Sequence, residues 1–245
     1  MKIKAIYEFL NEISPFELQE KWDNSGLLVG NENDEIEKVY ISLDLDEELL
    51  HQVEENSLII THHPLIFSSL RRVNYDSFAT KSLRTLIQKN IALICMHTNF
   101  DKTHLNAYVT KTILGLEPIC SGEYVCYANV NSSFDDFFEN ICAKLQLEYK
   151  KCVKCHDTIK KVAVVTGAGM SMIESIDADC FLTGDIKYHD AIEAKSRGIS
   201  LIDIGHYESE RHFSPLLLEI CNNYLKKNKI QAIMSNSENP FVFHL

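Results

Sequence analysis

Short β-branched apolar runs alternate with amphipathic helical patterns along the whole chain, and this alternation restricts the possible folds most. Val39–Leu43, Leu58–Thr61 and Ile91–Cys95 are apolar at nearly every position. Such runs suit strands buried on both faces of a parallel sheet covered by helices. Each is followed, directly or after a loop, by a helical pattern near 46–55, 78–90 and 104–114. Ahead of them Ile3, Ile6, Leu10 and Ile13 recur at helical spacing, and the pattern stops at Pro15. The second half repeats the rhythm. Its expected strands are Val162–Val165, Cys180–Leu182 and Ser200–Ile204, with helices near 171–177, 187–197 and 208–227. A strand near 230–235 and a Phe241–His244 stretch close the chain; Gly122–Val130, a helix near 134–146 and a basic, cysteine-bearing connector at Lys150–Lys161 join the halves. No Gly/Ser linker is present. The expectation is an α/β protein of two repeats, 1–120 and 121–245, closely interlocked.

Composition narrows the functional classes. Of 245 residues, 45% are apolar and 24% charged, which fits a globular protein and excludes a disordered chain. The 24 basic residues are outnumbered by 35 acidic ones, for a net charge of −11. A nucleic-acid partner is therefore not expected, because a phosphate-backbone surface needs a basic patch. An anionic substrate would need its own local source of positive charge. No run approaches the ~20 apolar residues of a membrane-spanning helix, and the N-terminus lacks the apolar core of a secretory signal. Eight cysteines without such a signal read as reduced thiols, which points to the cytoplasm.

Histidine placement carries the chemical information. His62 and His63 in T61-H-H-P64, His97 in H97-T-N-F-D101 and His206 in H206-Y-E-S-E210 all sit just past expected strand ends. Ligands of open parallel sheets bind outside the carboxyl ends of the strands. His97 with Asp101 and His206 with Glu210 are each spaced i, i+4, so imidazole and carboxylate face one way on a helical turn. The same pair follows the third strand of each half. A lone histidine of this kind is usually a hydrogen-bonded structural residue; the repeated pattern is harder to dismiss. Three imidazoles and two carboxylates form a nitrogen/oxygen donor set suited to Zn, Fe, Mn, Co or Ni rather than Ca or Mg. Five donors exceed the need of one catalytic zinc and match two divalent ions with a bridging carboxylate.

Other motifs are weaker. The loop T166-G-A-G-M-S171 either presents backbone amides to a phosphate or is a plain strand-to-helix turn. W22-D-N-S-G-L-L-V-G30 holds the only tryptophan and reads as a turn with an aromatic core anchor. Cys152-x-x-Cys155-His156 has haem-attachment spacing without an export signal and reads as incidental. No G-x-S-x-G elbow or Walker sequence is present.

Taken in order, W22-D-N-S-G-L-L-V-G30, T61-H-H-P64, H97-T-N-F-D101, T183-G-D-I-K-Y-H-D190 and I204-G-H-Y-E-S-E210 give a chain that resembles the type-two GTP cyclohydrolase homologues. These are also called the NGG-interacting-factor-three-like family. The resemblance covers residues 4–243 and the compact bacterial form. It implies two intertwined α/β repeats with mixed, mostly parallel sheets covered by helices, assembled as a toroidal homohexamer. It implies a dinuclear metal site on His62, His63, Asp101, His206 and Glu210, with Glu210 as the bridge. His97 would lie beside the metals as a group supporting the ligands or as a proton shuttle, while Trp22, Asp23, Asn24, Lys187 and His189 would bind substrate. The implied reaction opens the guanine ring of GTP to formate and dihydroneopterin triphosphate through a metal-activated hydroxide. Lys187, Arg211 and the Gly167–Ser171 loop are the candidates for holding the triphosphate. Phosphoester hydrolysis at the same centre, or a non-enzymatic metal-binding scaffold, are the competing readings.

Overall fold

The computed structural model describes residues 1–119, 124–235 and 237–242. The chain forms two compact units, one from Met1–Phe100 with Phe213–Glu238, the other from Asp101–His212 with the residues from Asn239 onward. This grouping does not follow a single cut at residue 120, because the chain leaves the first unit after Phe100 and returns to it at Phe213.

The first stretch runs α1 (Ile3–Ile13), β1 (Gly26–Val29), β2 (Lys38–Ser42), α2 (Glu47–Gln52), β3 (Leu58–Thr61), α3 (Phe78–Gln88), β4 (Ala92–Cys95) and the short α4 (Thr98–Phe100). Helix starts follow local chemistry. Asp46 accepts a hydrogen bond from the Leu49 amide at 2.7 Å to cap α2, and Ser77 caps α3 in the same way through the Thr80 amide. The second unit has π-type turns at Asp101–Leu105 and Val109–Ile113 around α5 (Asn106–Tyr108). There follow β5 (Cys126–Ser133), α6 (Phe134–Leu145), β6 (Cys152–Val153), β7 (Thr158–Val164), a 3₁₀ turn at Met170–Ser175, β8 (Cys180–Thr183), α7 (Tyr188–Ser196), β9 (Ser200–Asp203) and α8 (His206–Glu210). Then α9 (Phe213–Lys227) and β10 (Gln231–Met234) complete the first unit.

Each unit holds a mixed five-stranded sheet. The first has the order β1-β4-β3-β2-β10, with only β1 antiparallel to its neighbour. The second has the order β5-β7-β8-β9-β6, with β5 and β6 antiparallel at its two edges. In both, three parallel strands are laid down in sequence order and an antiparallel strand lies against the third. That shared core is the repeat seen in the sequence.

Burial follows the pattern of the strands. Tyr40, Ile59 and Leu93 face Leu49, Leu50 and Leu86 of α2 and α3 in the first unit. On the other side α9 packs on β2 and β10 and carries α1, whose Phe9 ring stacks on Tyr224 at 3.9 Å. In the second unit Ala163, Phe181 and Leu201 pack toward Ala194 of α7, while α6 lies against β5 and β7. Full burial of the central strands on both faces is what made them read as unbroken apolar runs.

The structure corrects several expectations. The segment expected as one helix near 208–227 is two, α8 and α9. The W22–G30 motif contains the strand β1, and Trp22 is 57% exposed rather than a core anchor. Gly122–Val130 begins outside the described residues and yields β5 from Cys126. Phe241 and Val242 are exposed and outside any strand, and the rest of that closing stretch lies outside the described residues. Among the described residues no helix is long and apolar enough to cross a membrane.

Candidate functional site

In the first unit three histidines meet at the carboxyl edge of the sheet. Thr61 of β3 is in register with Cys95 of β4, so the residues that follow leave the sheet side by side. The Met96 amide donates to Thr61 O at 2.9 Å, and the amides of His62 and His63 donate to Leu43 O just past β2. Rings 62 and 63 have centroids 5.0 Å apart, and ring 97 lies 5.1 Å from His62 and 5.6 Å from His63. One ligand atom from each lies within 4.8 Å of the others.

Each imidazole is oriented through its Nδ1. His62, buried, donates to Met96 O at 2.9 Å; His63 to Asp44 Oδ1 at 2.7 Å; His97 to Asp23 Oδ1 at 2.8 Å. A proton held on Nδ1 leaves the lone pair on Nε2, the arrangement by which proteins prepare histidines to ligate metals. Asp23 is itself fixed by the Asn24 and Thr98 amides at 2.7 and 3.1 Å and by the Ser25 hydroxyl at 3.1 Å. Burial pushes the Asp23 carboxyl up, but the hydrogen bonds and charge of His97, the Thr98 hydroxyl and the Asn24 amide outweigh it. The carboxylate is held well below its usual range. Trp22 places its ring edge-on to His97 at 6.1 Å, and the Asn24 side chain donates to Ile66 O.

The second unit carries the carboxylates. Helix α8 presents His206 and Glu210 one turn apart, with Nε2 2.9 Å from Glu210 Oε2 and Nδ1 2.8 Å from Asp185 Oδ2. This imidazole therefore stands between two carboxylates. A cation would be held here by His206 Nε2 and Glu210, and Asp185 keeps the other nitrogen protonated. Glu210 is 2% exposed, and such a buried acid needs compensating charge. Asp101, also buried, accepts from the Tyr124 hydroxyl at 3.2 Å and lies 3.5 Å from the Thr166 hydroxyl.

Glycines make room for the pair. Gly167 has φ +63°, and a Cβ there would sit 2.1 Å from Glu210 Oε1 and 3.5 Å from His206 Nε2. At Gly184 a Cβ would meet only backbone, with the His206 nitrogen 2.7 Å away. The T166–S171 loop is therefore a turn that lets Glu210 lie against bare backbone. Its Thr166, Gly167 and Gly169 amides already donate to Asn106 Oδ1, Ser209 Oγ and Thr183 Oγ1, at 2.7, 3.0 and 2.7 Å. Those three amides are not available to a phosphate, which favours the plain strand-to-helix turn. Arg211 is committed too, donating to Leu145 O at 3.1 Å and Gln146 Oε1 at 3.3 Å beyond α6. Lys187 and His189 are exposed at the start of α7, where the Lys187 amide donates to Asp190 Oδ2 at 2.9 Å.

Of the orienting residues, Asp44 and Tyr124 belong to no sequence motif, and Thr166 lies in the T166–S171 loop. Asp185 lies in the quoted T183-G-D motif, while Asp44 is a single acid past a strand and gives no pattern to read. The C152-x-x-C155-H156 segment is structural. The Cys155 amide donates to Ser200 Oγ at 3.1 Å, and the His156 ring bonds Gly198 O at 2.6 Å.

The donor types in each unit fit divalent transition ions: imidazole Nε2 atoms with preset tautomers in the first, and an imidazole with buried carboxylates in the second. The model of the Duf34/NIF3 (NGG1p interacting factor 3) family matches residues 1–240. A GTP cyclohydrolase 1 type 2 homolog of Campylobacter jejuni is 46% identical over 244 residues, 99% of this chain and 100% of that one. A GTP cyclohydrolase 1 type 2 of Helicobacter pylori is 45% identical over 94% of this chain and 99% of its own length. Among solved structures, a Staphylococcus aureus hypothetical protein superposes with a TM-score of 0.86 at 28% identity, over 100% of this chain and 99% of that one.

Proposed function

The chain belongs to the Duf34/NIF3 family, and from that premise we propose that it is a dinuclear metal-dependent hydrolase that opens the guanine ring of GTP. The products are formate and dihydroneopterin triphosphate, and the working assembly is a homohexamer. His62, His63, Asp101, His206 and Glu210 would hold the two divalent ions. The observation that carries this reading is His206, set between Asp185 and Glu210, with a buried glutamate seated against a glycine turn. Bound cations supply Lewis acidity and lower the pKa of a water at neutral pH.

The chain's own groups supply the rest. Asp23 fixes the Nδ1 proton of His97, so Nε2 is the atom that takes up and returns a proton at the guanine ring. Trp22 and Asn24 shape the approach to His97, and Lys187 and His189 contribute further substrate contacts. The names of the Campylobacter and Helicobacter relatives support a guanine nucleotide as substrate.

Formate and pterin release from GTP by metal-loaded protein tests the proposal. Turnover that is abolished in Glu210→Gln is the expected result. Release of phosphate without formate would replace ring opening by phosphoester hydrolysis at the same centre. Metal retention without any turnover would leave a metal-binding scaffold.

A further inference from the structure

Two aromatic rings stand in solvent beside the histidine array with no structural reason to be there. Trp22 is 57% exposed and Phe67 53% exposed, with ring centroids 5.8 Å apart at 40°. Trp22 also reaches His97, 6.1 Å away. Both rings are held from below. Asp23, next to Trp22, is locked by His97, Ser25 and Thr98, and Asn24 donates to Ile66 O, next to Phe67. An exposed aromatic pair whose neighbouring residues are anchored is a recognition feature rather than a packing feature.

Four and five residues past Phe67 come Arg71 and Arg72, both exposed. Neither has a hydrogen-bond or ion-pair partner among the described residues, although the chain carries a net charge of −11. Lys38, Lys150, Lys154, Lys161 and Arg197 all have carboxylate partners. Arg84, the next arginine, is held over the Tyr75 ring at 4.8 Å. With Arg211 and the Thr166, Gly167 and Gly169 amides committed elsewhere, Arg71 and Arg72 are a pair of uncommitted guanidinium groups suited to phosphate.

We propose that Trp22 and Phe67 form a stacking platform for the purine ring, and that Arg71 and Arg72 bind the phosphates of the same nucleotide. This rests on the nucleotide reading of the site and assigns Phe67, Arg71 and Arg72 to it. The rings are too close to admit a base between them, since a sandwich needs about 7 Å, two stacking distances of ~3.5 Å. The base therefore lies across the outer face of the pair, with one edge toward His97.

The chain's only tryptophan reports on this directly. Its fluorescence is titrated with GTP, guanosine and inorganic triphosphate on the full chain, with formate release measured in parallel. GTP should quench saturably, guanosine should quench at about tenfold higher concentration, and triphosphate should compete without quenching. Phe67→Ala should weaken GTP and guanosine alike by about tenfold, within the range of base–aromatic stacking, and Phe67→Tyr should restore both. The double variant R71A/R72A should weaken GTP about tenfold and leave guanosine unchanged. GTP binding by equilibrium dialysis without any change in fluorescence overturns the platform. So do Phe67 and arginine variants that bind like the wild type, or a Trp22 emission that shifts with protein dilution and not with nucleotide, which would assign the patch to a second copy of the chain. Quenching as described without formate release keeps the platform and removes the ring-opening reading; formate release unaffected by all the variants does the reverse.

Discussion

The two units position their candidate metal-binding side chains by partly different means. In the first, three histidines from the ends of β3 and β4 are each aimed by a hydrogen bond to Nδ1, from Met96 O, Asp44 and Asp23. In the second, His206 and Glu210 are aimed by helical spacing and seated against Gly167 and Gly184, where any side chain would collide. The first is organised by added groups alone, while the second, where Asp185 also holds His206 Nδ1, depends besides on omitted side chains. Loss of an orienting hydrogen bond is graded, whereas a side chain forced into a full space is not. The two units should therefore fail differently when altered.

The largest effect is expected at Gly167. Alanine there is strained at φ +63° and its Cβ would lie 2.1 Å from Glu210 Oε1. Since Glu210 is buried, the carboxylate must leave its place. Metal affinity, followed by chelator competition, should fall by about 100-fold or more, beyond the 10–100-fold typical of orienting groups. Wild-type affinity in Gly167→Ala would break the contrast between the units. Asp23→Asn should act next. The amide can face His97 through either its oxygen or its nitrogen and cannot carry charge, so kcat should drop about 10–100-fold. Metal content should stay unchanged, because His97 is not among the proposed ligands.

Asp44→Asn should be milder. The Asp44 side chain is 43% exposed, so the bond to His63 is shared with solvent, and metal affinity should fall about tenfold at most. The smallest effect concerns thiols. In the first unit Cys95 and Cys221 are buried, and burial pushes the Cys221 thiol up to about 12. The second unit has buried Cys126, Cys142 and Cys180 but also the exposed Cys152. Brief alkylation of native protein at pH 8, mapped by peptide mass, should mark Cys152 and spare Cys95 and Cys221. Equal labelling of all three would show that the first unit opens more readily than its packing implies.

Much of this was legible in the sequence where one physical cause dominated. Double-sided burial made β2, β3, β7, β8 and β9 readable as apolar runs, and their ends located the histidines. The i, i+4 spacing of His206 and Glu210 gave a real 2.9 Å approach. Other features depended on partners distant in the chain. The strand β1 is short, sits among glycines and polar residues, and is defined by pairing with β4. The return of β10 to β2 links residues nearly two hundred apart, and no local pattern records it. Arg211 looked available because the α6 carboxyl end that accepts its hydrogen bonds lies 65 and 66 residues away. Trp22 looked like a core residue because tryptophan usually is one. Its exposure reflects a loop held in place by Asp23 and Asn24.

The central claim is that side chains from distant parts of this chain share two divalent cations. It is tested most directly by elemental analysis of the full chain after metal loading and exhaustive dialysis, beside Glu210→Gln. Two ions retained per wild-type chain and one or fewer in the variant is the predicted result. No retained ion in the wild type, or the same content in both proteins, would contradict it.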